Sequence, residues 1–234
     1  MIDSQLGLVA TACHVVDDIA EPPPGHGTWV VPASRFTQNG QQAKILLDFG
    51  ETDAHDPRRE YSVTAVAFVP NIQGCDGAVL RIATGKPLPP KLAAATAEPQ
   101  MPNPLQLDVY SIGYPSRDLS SASPDTKDYF SSLRSQTGTT AKFLFGGDVV
   151  SDESKGAYHV MAHVVPTRQG QSGSPIFDAT DLSNPRVIGI HVCCVENAQS
   201  QTGSPCQWRS ELALQEAVSL VDLMKLYRAA EPGQ

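Results

Sequence analysis

Short apolar runs recur along the chain at lengths that suit strands rather than helices. Residues 6–16, 28–31, 43–49, 61–69 and 78–82 form a first group. Residues 105–112, 142–150, 157–165, 174–177 and 187–192 form a second. In 61–69, Val63, Ala65, Ala67 and Val69 alternate with Thr64, Val66 and Phe68, so both faces of that strand are expected to be partly buried. Residues 17–28 hold Pro22-Pro23-Pro24-Gly25 and read as a loop, 50–60 as a charged, exposed hairpin loop, and the Ser/Thr/Asp-rich 116–140 as a surface loop. Residues 84–104 carry six prolines and an alanine run, which no regular helix or central strand accommodates, so they read as the connection between the two groups. The tail has a different period. Leu214, Ala217, Val218, Val221 and Met224 fall at helical spacing over 211–228, with Ser210 as the expected cap, Glu211 at the start, and Lys225 and Arg228 at the end. The pattern predicts an all-β protein with one terminal helix, and no internal repeat.

Length and charge narrow the picture. At 234 residues the chain can bury a sizeable core in one domain of two lobes, and a hydrophobic content of 41% is that of a globular protein. The net charge of −8 argues against nucleic acid as a partner, which needs a basic face, and no apolar run approaches a membrane span. The apolar stretch 6–13 lacks the basic flank and length of a signal segment, with Asp3 beside it, and is better explained as a strand. Five cysteines leave an odd thiol. Cys194 with Cys206, Cys13 with Cys75, and buried free thiols all stand as readings. His159 and His163 are four apart on a strand-like segment without the glutamate of a zinc helix, so no metal site is expected; His26 and His55 sit in loops.

The candidate chemistry lies in Gly170-Gln171-Ser172-Gly173-Ser174-Pro175. A hydroxyl is a weak nucleophile and needs a base beside it, and the oxyanion formed on the attacked carbonyl needs donors aimed at one point. A tight glycine-bearing loop can turn the N–H groups of Gly170 and Ser172 toward that point. A surface turn has the same composition, and the G-x-S-x-G elbow does not fit because Ser174 occupies the fifth position. Two upstream segments supply partners. Thr11-Ala12-Cys13-His14 brings a histidine to the end of a strand, and Cys75-Asp76-Gly77-Ala78 brings an aspartate to the start of another.

These segments, in the order His, Asp, Ser, resemble the T-A-x-H, D-x-A-x-L and G-x-S-G-x-P motifs of trypsin-like (chymotrypsin-fold) serine peptidases. Gly113-Tyr114-Pro115 and Val187-Ile188-Gly189-Ile190-His191 look most like the bacterial glutamyl endopeptidase (V8-like) branch. The resemblance is a set of islands across residues 6 to 192. It implies two six-stranded-type antiparallel β-barrels and a C-terminal α-helix, in one domain spanning 1–234: an N-terminal β-lobe over 1–83, a connector over 84–104, a C-terminal β-lobe over 105–208, and the helix and tail over 209–234. Two strands that precede the histidine strand in the family have no room before His14, so either the sequence is a piece of a longer one or the first barrel is incomplete at its N-terminus.

The implied activity is endopeptidase hydrolysis through an acyl-enzyme. Ser172 is the expected nucleophile, His14 the base and Asp76 its orienting partner, with the Gly170 and Ser172 N–H groups as the oxyanion hole. Thr167 and His191 match the positions that line the first pocket in the glutamyl branch, which implies cleavage after Glu or Asp. Peptide or protein substrates are the implied partners, with no cofactor and a monomeric chain; the family resemblance implies secretion. A non-catalytic binding module with the same fold, and an esterase using the same residues on small esters, remain alternatives.

Overall fold

A computed structural model describes residues 3, 5–20, 29–48, 60–71, 74–85, 87–88, 92–97, 107–113, 143–155, 158–165, 171–181, 183–194 and 215–230. For 29, 48, 69–71, 74–76, 143–155, 158, 193–194, 215–216 and 230 it describes the backbone only. Thirteen strands follow in chain order: β1 (Leu8–Ala12), β2 (Trp29–Pro32), β3 (Thr37–Gln38), β4 (Gln41–Gln42), β5 (Leu46–Asp48), β6 (Glu60–Asn71), β7 (Gly74–Ile82), β8 (Leu107–Gly113), β9 (Phe143–Lys155), β10 (Tyr158–His163), β11 (Pro175–Asp178), β12 (Arg186–Cys194) and β13 (Gln215–Ser219). One α-helix, α1 (Leu220–Ala230), ends the described chain.

The strands form two antiparallel halves. The first is an open, five-stranded sheet in the order β1-β7-β6-β2, with β5 also paired to β6. The second is a closed six-stranded barrel, β10-β13-β12-β11-β8-β9. This is the chymotrypsin-like arrangement expected; among the described residues the strands of the first half do not close into a barrel. The two halves share an apolar seam in which Leu8, Ala12, Ala67 and Val79 of the first pack with Val160, Phe177, Ile190 and Val218 of the second and with Leu220, Leu223 and Tyr227 of α1. Each of the Leu, Val, Ile and Phe side chains, taken from water, contributes about 1.5–3 kcal/mol, and each Ala methyl less. The polar tie across the seam, Arg81 Nη2 donating to Tyr227 Oη at 2.6 Å, contributes about 1 kcal/mol, so apolar burial holds the halves together. A separate core, including Cys13, Val31, Phe36, Val66, Phe68, Ala78 and Leu80, fills the first half.

Of the connector, residues 84–85, 87–88 and 92–97 are described. Its start is tied to the first half by Tyr61 Oη, which donates to the Pro87 carbonyl. Further on it runs beside β12, with Ala95 N donating to Val187 O at 2.9 Å and Val187 N to Ala93 O at 2.8 Å.

Two local expectations are corrected. Residues 215–219, expected to be helical, form β13 and close the second barrel between β10 and β12. Ala217 and Val218 fit either period, and the two flanking strands decide the outcome by supplying hydrogen bonds on both sides. The helix begins at Leu220, and its cap is Ser219, whose Oγ accepts from Asp222 N at 3.2 Å; Ser210 lies outside the described residues. The second correction is a missed hairpin. Asn39 and Gly40, both at positive φ (53° and 74°), turn β3 into β4. Asn-Gly is a strong short-range hairpin signal, but its flanking Thr37-Gln38 and Gln41-Gln42 have no apolar alternation to mark them as strands. Of the loops expected over 17–28, 50–60 and 116–140, residues 17–20 form a turn and Glu60 starts β6, while 21–28, 50–59 and 116–140, with His26 and His55, lie outside the described residues.

Candidate active site

His14 does not end a strand. β1 stops at Ala12, and His14 sits exposed in the 3-10 turn Cys13–Val15 that follows. Cys13, directly before it, is fully buried in the first-half core and disulfide-bonded, which removes the free-thiol reading for that residue.

Asp76 lies on the neighbouring strand. β1 and β7 run antiparallel with Thr11 opposite Ala78 and Ala12 opposite Gly77. On the other edge of β7, Val69 faces Gly77 while Pro70 faces Cys75, so Asp76 is the extra residue of a β-bulge. Bulges turn a strand and re-aim the residues beside them. Gly77, next to the bulge, meets α1: a Cβ there would lie 3.1 Å from Leu223 Cδ1.

Ser172 is half-buried in a turn that leads into β11. The turn is held from β12, since Gly173 N donates to His191 O at 2.8 Å and His191 N donates to Ser174 O at 2.9 Å. Ser174 N closes the turn on Gln171 O at 2.9 Å. Among the described residues, the Ser172 N–H takes no such partner. Gly173 adopts φ +86°, a conformation that penalises any side chain. It also lies against the first half: a Cβ at this position would sit 2.6 Å from Thr11 Oγ1 and 3.4 Å from Thr11 Cα and Ala12 N. The serine turn therefore docks on the end of β1, two residues before His14. Gly113 does a similar service on β8, where a Cβ would collide with Ser174 Oγ and approach Gln171 Cγ at 3.2 Å.

Gly170 and Thr167 lie outside the described residues. His191 is buried beside the serine turn, with a second histidine against it that sequence reasoning left unassigned. His163 of β10 is fully buried, with its ring edge-on to His191 at 5.4 Å between centroids, and among the described residues neither of its ring nitrogens has a hydrogen-bond partner. Burial, and then the neighbouring His191, lower its pKa to about 3, so His163 is neutral over the working range of most enzymes. Its signal in the sequence was an imidazole with apolar residues on both sides, Met161-Ala162 before and Val164-Val165 after. His159, by contrast, is 40% exposed and its Nδ1 donates to the buried Asp222 at 2.8 Å, a contact at the start of α1.

No described helix is long and apolar enough to cross a membrane. No curated protein matches the sequence. The structure is similar to a thermostable serine protease, AL20, from an extremophilic microorganism, at 11% identity and a TM-score of 0.55, covering 100% of this chain and 89% of that one. It is also similar to the inactive form of the Rv3671c protease, at 14% identity and a TM-score of 0.49, covering 98% and 81%. At these identities the likeness concerns the fold alone. The profile of the trypsin-like peptidase domain matches residues 1–190, most of the length over which the two halves and their seam are built, and the chain belongs to that family.

Proposed function

We propose that the protein is a serine endopeptidase with Ser172 as nucleophile, His14 as general base and Asp76 as the residue that orients the imidazole. The observation that carries this reading is the contact of Gly173 with Thr11 and Ala12, which seats the serine turn on the strand end preceding His14. Ala12 is in turn paired with Gly77, the neighbour of Asp76. Three residues separated by most of the chain thus belong to segments in direct contact.

In this mechanism His14 takes the proton from the Ser172 hydroxyl as its oxygen adds to the substrate carbonyl. The Ser172 N–H, with that of Gly170, receives the oxyanion. His14 then protonates the leaving amine, the C–N bond breaks and the acyl group stays on Ser172. Water, deprotonated by His14, adds to the ester, and collapse returns the proton to Ser172.

The finer reading is cleavage after Glu or Asp. His191 is supported for that role by its bonds to the serine turn, and Thr167 by its place in the resemblance alone. His163, whose pKa burial and then His191 lower to about 3, stays neutral beside it, so the histidine pair places a hydrogen-bonding imidazole and no second fixed charge next to the serine turn. A fluorophosphonate probe should label the protein and not Ser172→Ala; equal labelling of the variant would remove Ser172 as nucleophile. A peptide-library digest should be dominated by cuts after Glu and Asp, and cuts mainly after Lys, Arg or Phe would end the acidic preference while leaving the peptidase.

A further inference from the structure

Cys13 is disulfide-bonded, fully buried, and packed with Val66, Phe68 and Ala78 in the core of the first half. Its partner is one of Cys75, Cys193, Cys194 and Cys206. A disulfide needs Cα atoms within about 4.4–6.8 Å, which neighbouring antiparallel strands supply. The β1–β7 register closes with Ala12 opposite Gly77, so one further step brings position 13 level with 76 and diagonal to 75.

The bulge decides the phase. Ala78, Leu80 and Ile82 of β7 face the first-half core, as do Val66 and Phe68 of β6. Beyond the bulge Cys75 is opposite Pro70, which continues the even-numbered series of Val66 and Phe68. Without the bulge, the alternation would carry Asp76 on that core-facing series; with it, position 75 takes the place. Cys193 and Cys194 instead lie on β12, opposite Glu216 and Gln215 of β13 in the second barrel.

We propose that Cys13 and Cys75 form a disulfide that positions His14 and Asp76, the residues directly after each cysteine. The positioning role rests on the triad reading given above; the link itself does not. The need for it follows from the topology. Among the described strands β1 pairs with β7 alone, and on the chain before it only Asp3 bridges to Leu8, at the end of β1 away from His14. The 3-10 turn that delivers His14 leaves β1 at once, and pairing alone restrains it weakly. A covalent tie across the two strand ends fixes the separation of the turn and the bulge.

Peptide mapping of the unreduced protein tests the link. A cross-linked peptide pair containing Cys13 and Cys75 is expected, and Cys13 joined to Cys193, Cys194 or Cys206 overturns the proposal. Steady-state hydrolysis of a peptide substrate tests the role. In Cys13→Ala/Cys75→Ala, kcat should fall about a hundredfold with KM little changed, the size expected for a small misplacement of catalytic groups. Far-UV circular dichroism and the unfolding midpoint report whether the variant is folded. A second arm keeps the test open if it is not: brief treatment of the native protein with a small dithiol, which passes two electrons and two protons to the disulfide and is itself oxidised, should lower kcat in proportion to the thiols released. Unchanged kcat in the folded variant, or in the reduced native protein, overturns the positioning role. A protein with the Cys13–Cys75 link mapped but no turnover would remove the triad reading, and the positioning role with it, while the link stands.

Discussion

The two halves of the molecule solve the same packing problem differently. The second closes six strands into a barrel and has no open edge, and the serine turn is clamped to it by backbone bonds at Gly173, Ser174 and His191. The first is an open five-stranded sheet among the described residues, and it presents His14 from the turn after β1. A closed barrel satisfies its own hydrogen bonds; an open sheet depends on what covers it. Here the cover is the shared seam, with α1 reaching back from the second half to pack against β7 near Asp76. The closed half thus carries the proposed nucleophile, and the half that leans on it carries the proposed base.

The sharpest test of that division asks whether the halves act as one catalytic unit. Ser172→Ala and His14→Ala should each lower kcat by about 10⁴-fold or more, and the double variant should be no worse than either, because a triad acts as a unit. Multiplicative losses, measured on one peptide substrate, would mean that the two residues work independently.

Next in size is the contact between the halves. Gly173→Ala adds a methyl group where φ is +86° and where Thr11 Oγ1 stands 2.6 Å away. The conformation alone costs about 1–2 kcal/mol, and the added methyl group collides with the Thr11 hydroxyl. Turnover should fall about a hundredfold while the barrel stays folded, as a misplaced serine turn would do. Native turnover in this variant would show that the turn does not depend on β1.

The barrel's own weak point is titratable. His163 is held neutral down to about pH 3 in the folded state, while the unfolded chain binds its proton near the ordinary histidine value of 6.5. Between these values the unfolded state binds more protons, so stability falls as pH falls. The loss from this group is about 2 kcal/mol between pH 6.5 and 5. Denaturant unfolding of His163→Leu should show a flatter pH dependence over that range; an unchanged slope would place the acid sensitivity elsewhere. The smallest effect is expected at the polar tie across the seam. Tyr227→Phe removes the bond from Arg81 and keeps the ring in the seam, so the unfolding free energy should drop by about 1 kcal/mol with little change in kcat.

Much of this arrangement was legible beforehand where local chemistry was unambiguous. The Gly-rich serine turn, the order of His14, Asp76 and Ser172, and most strands follow from short-range signals. The tail shows where such signals run out. Ala217 and Val218 satisfy a helical period, yet they sit in β13 because β10 and β12 offer a slot with hydrogen-bonding partners on both edges. His163 carried no recognisable motif, and its burial against His191 is a product of barrel closure. The bulge at Asp76 was equally silent, because a one-residue register shift is a property of two paired strands.

By itself the amino-acid sequence determined the inventory: strand-forming runs, a proline-rich connector, a turn only glycine and small residues can make, and three chemically matched side chains. Those are consequences of covalent structure and of interactions a few residues apart. The tertiary structure decided which strands became neighbours, that the second half closed into a barrel, and that the serine turn rests on the strand before His14. These outcomes depend on burying apolar surface between distant segments, and that free energy belongs to pairs of segments and to neither one alone.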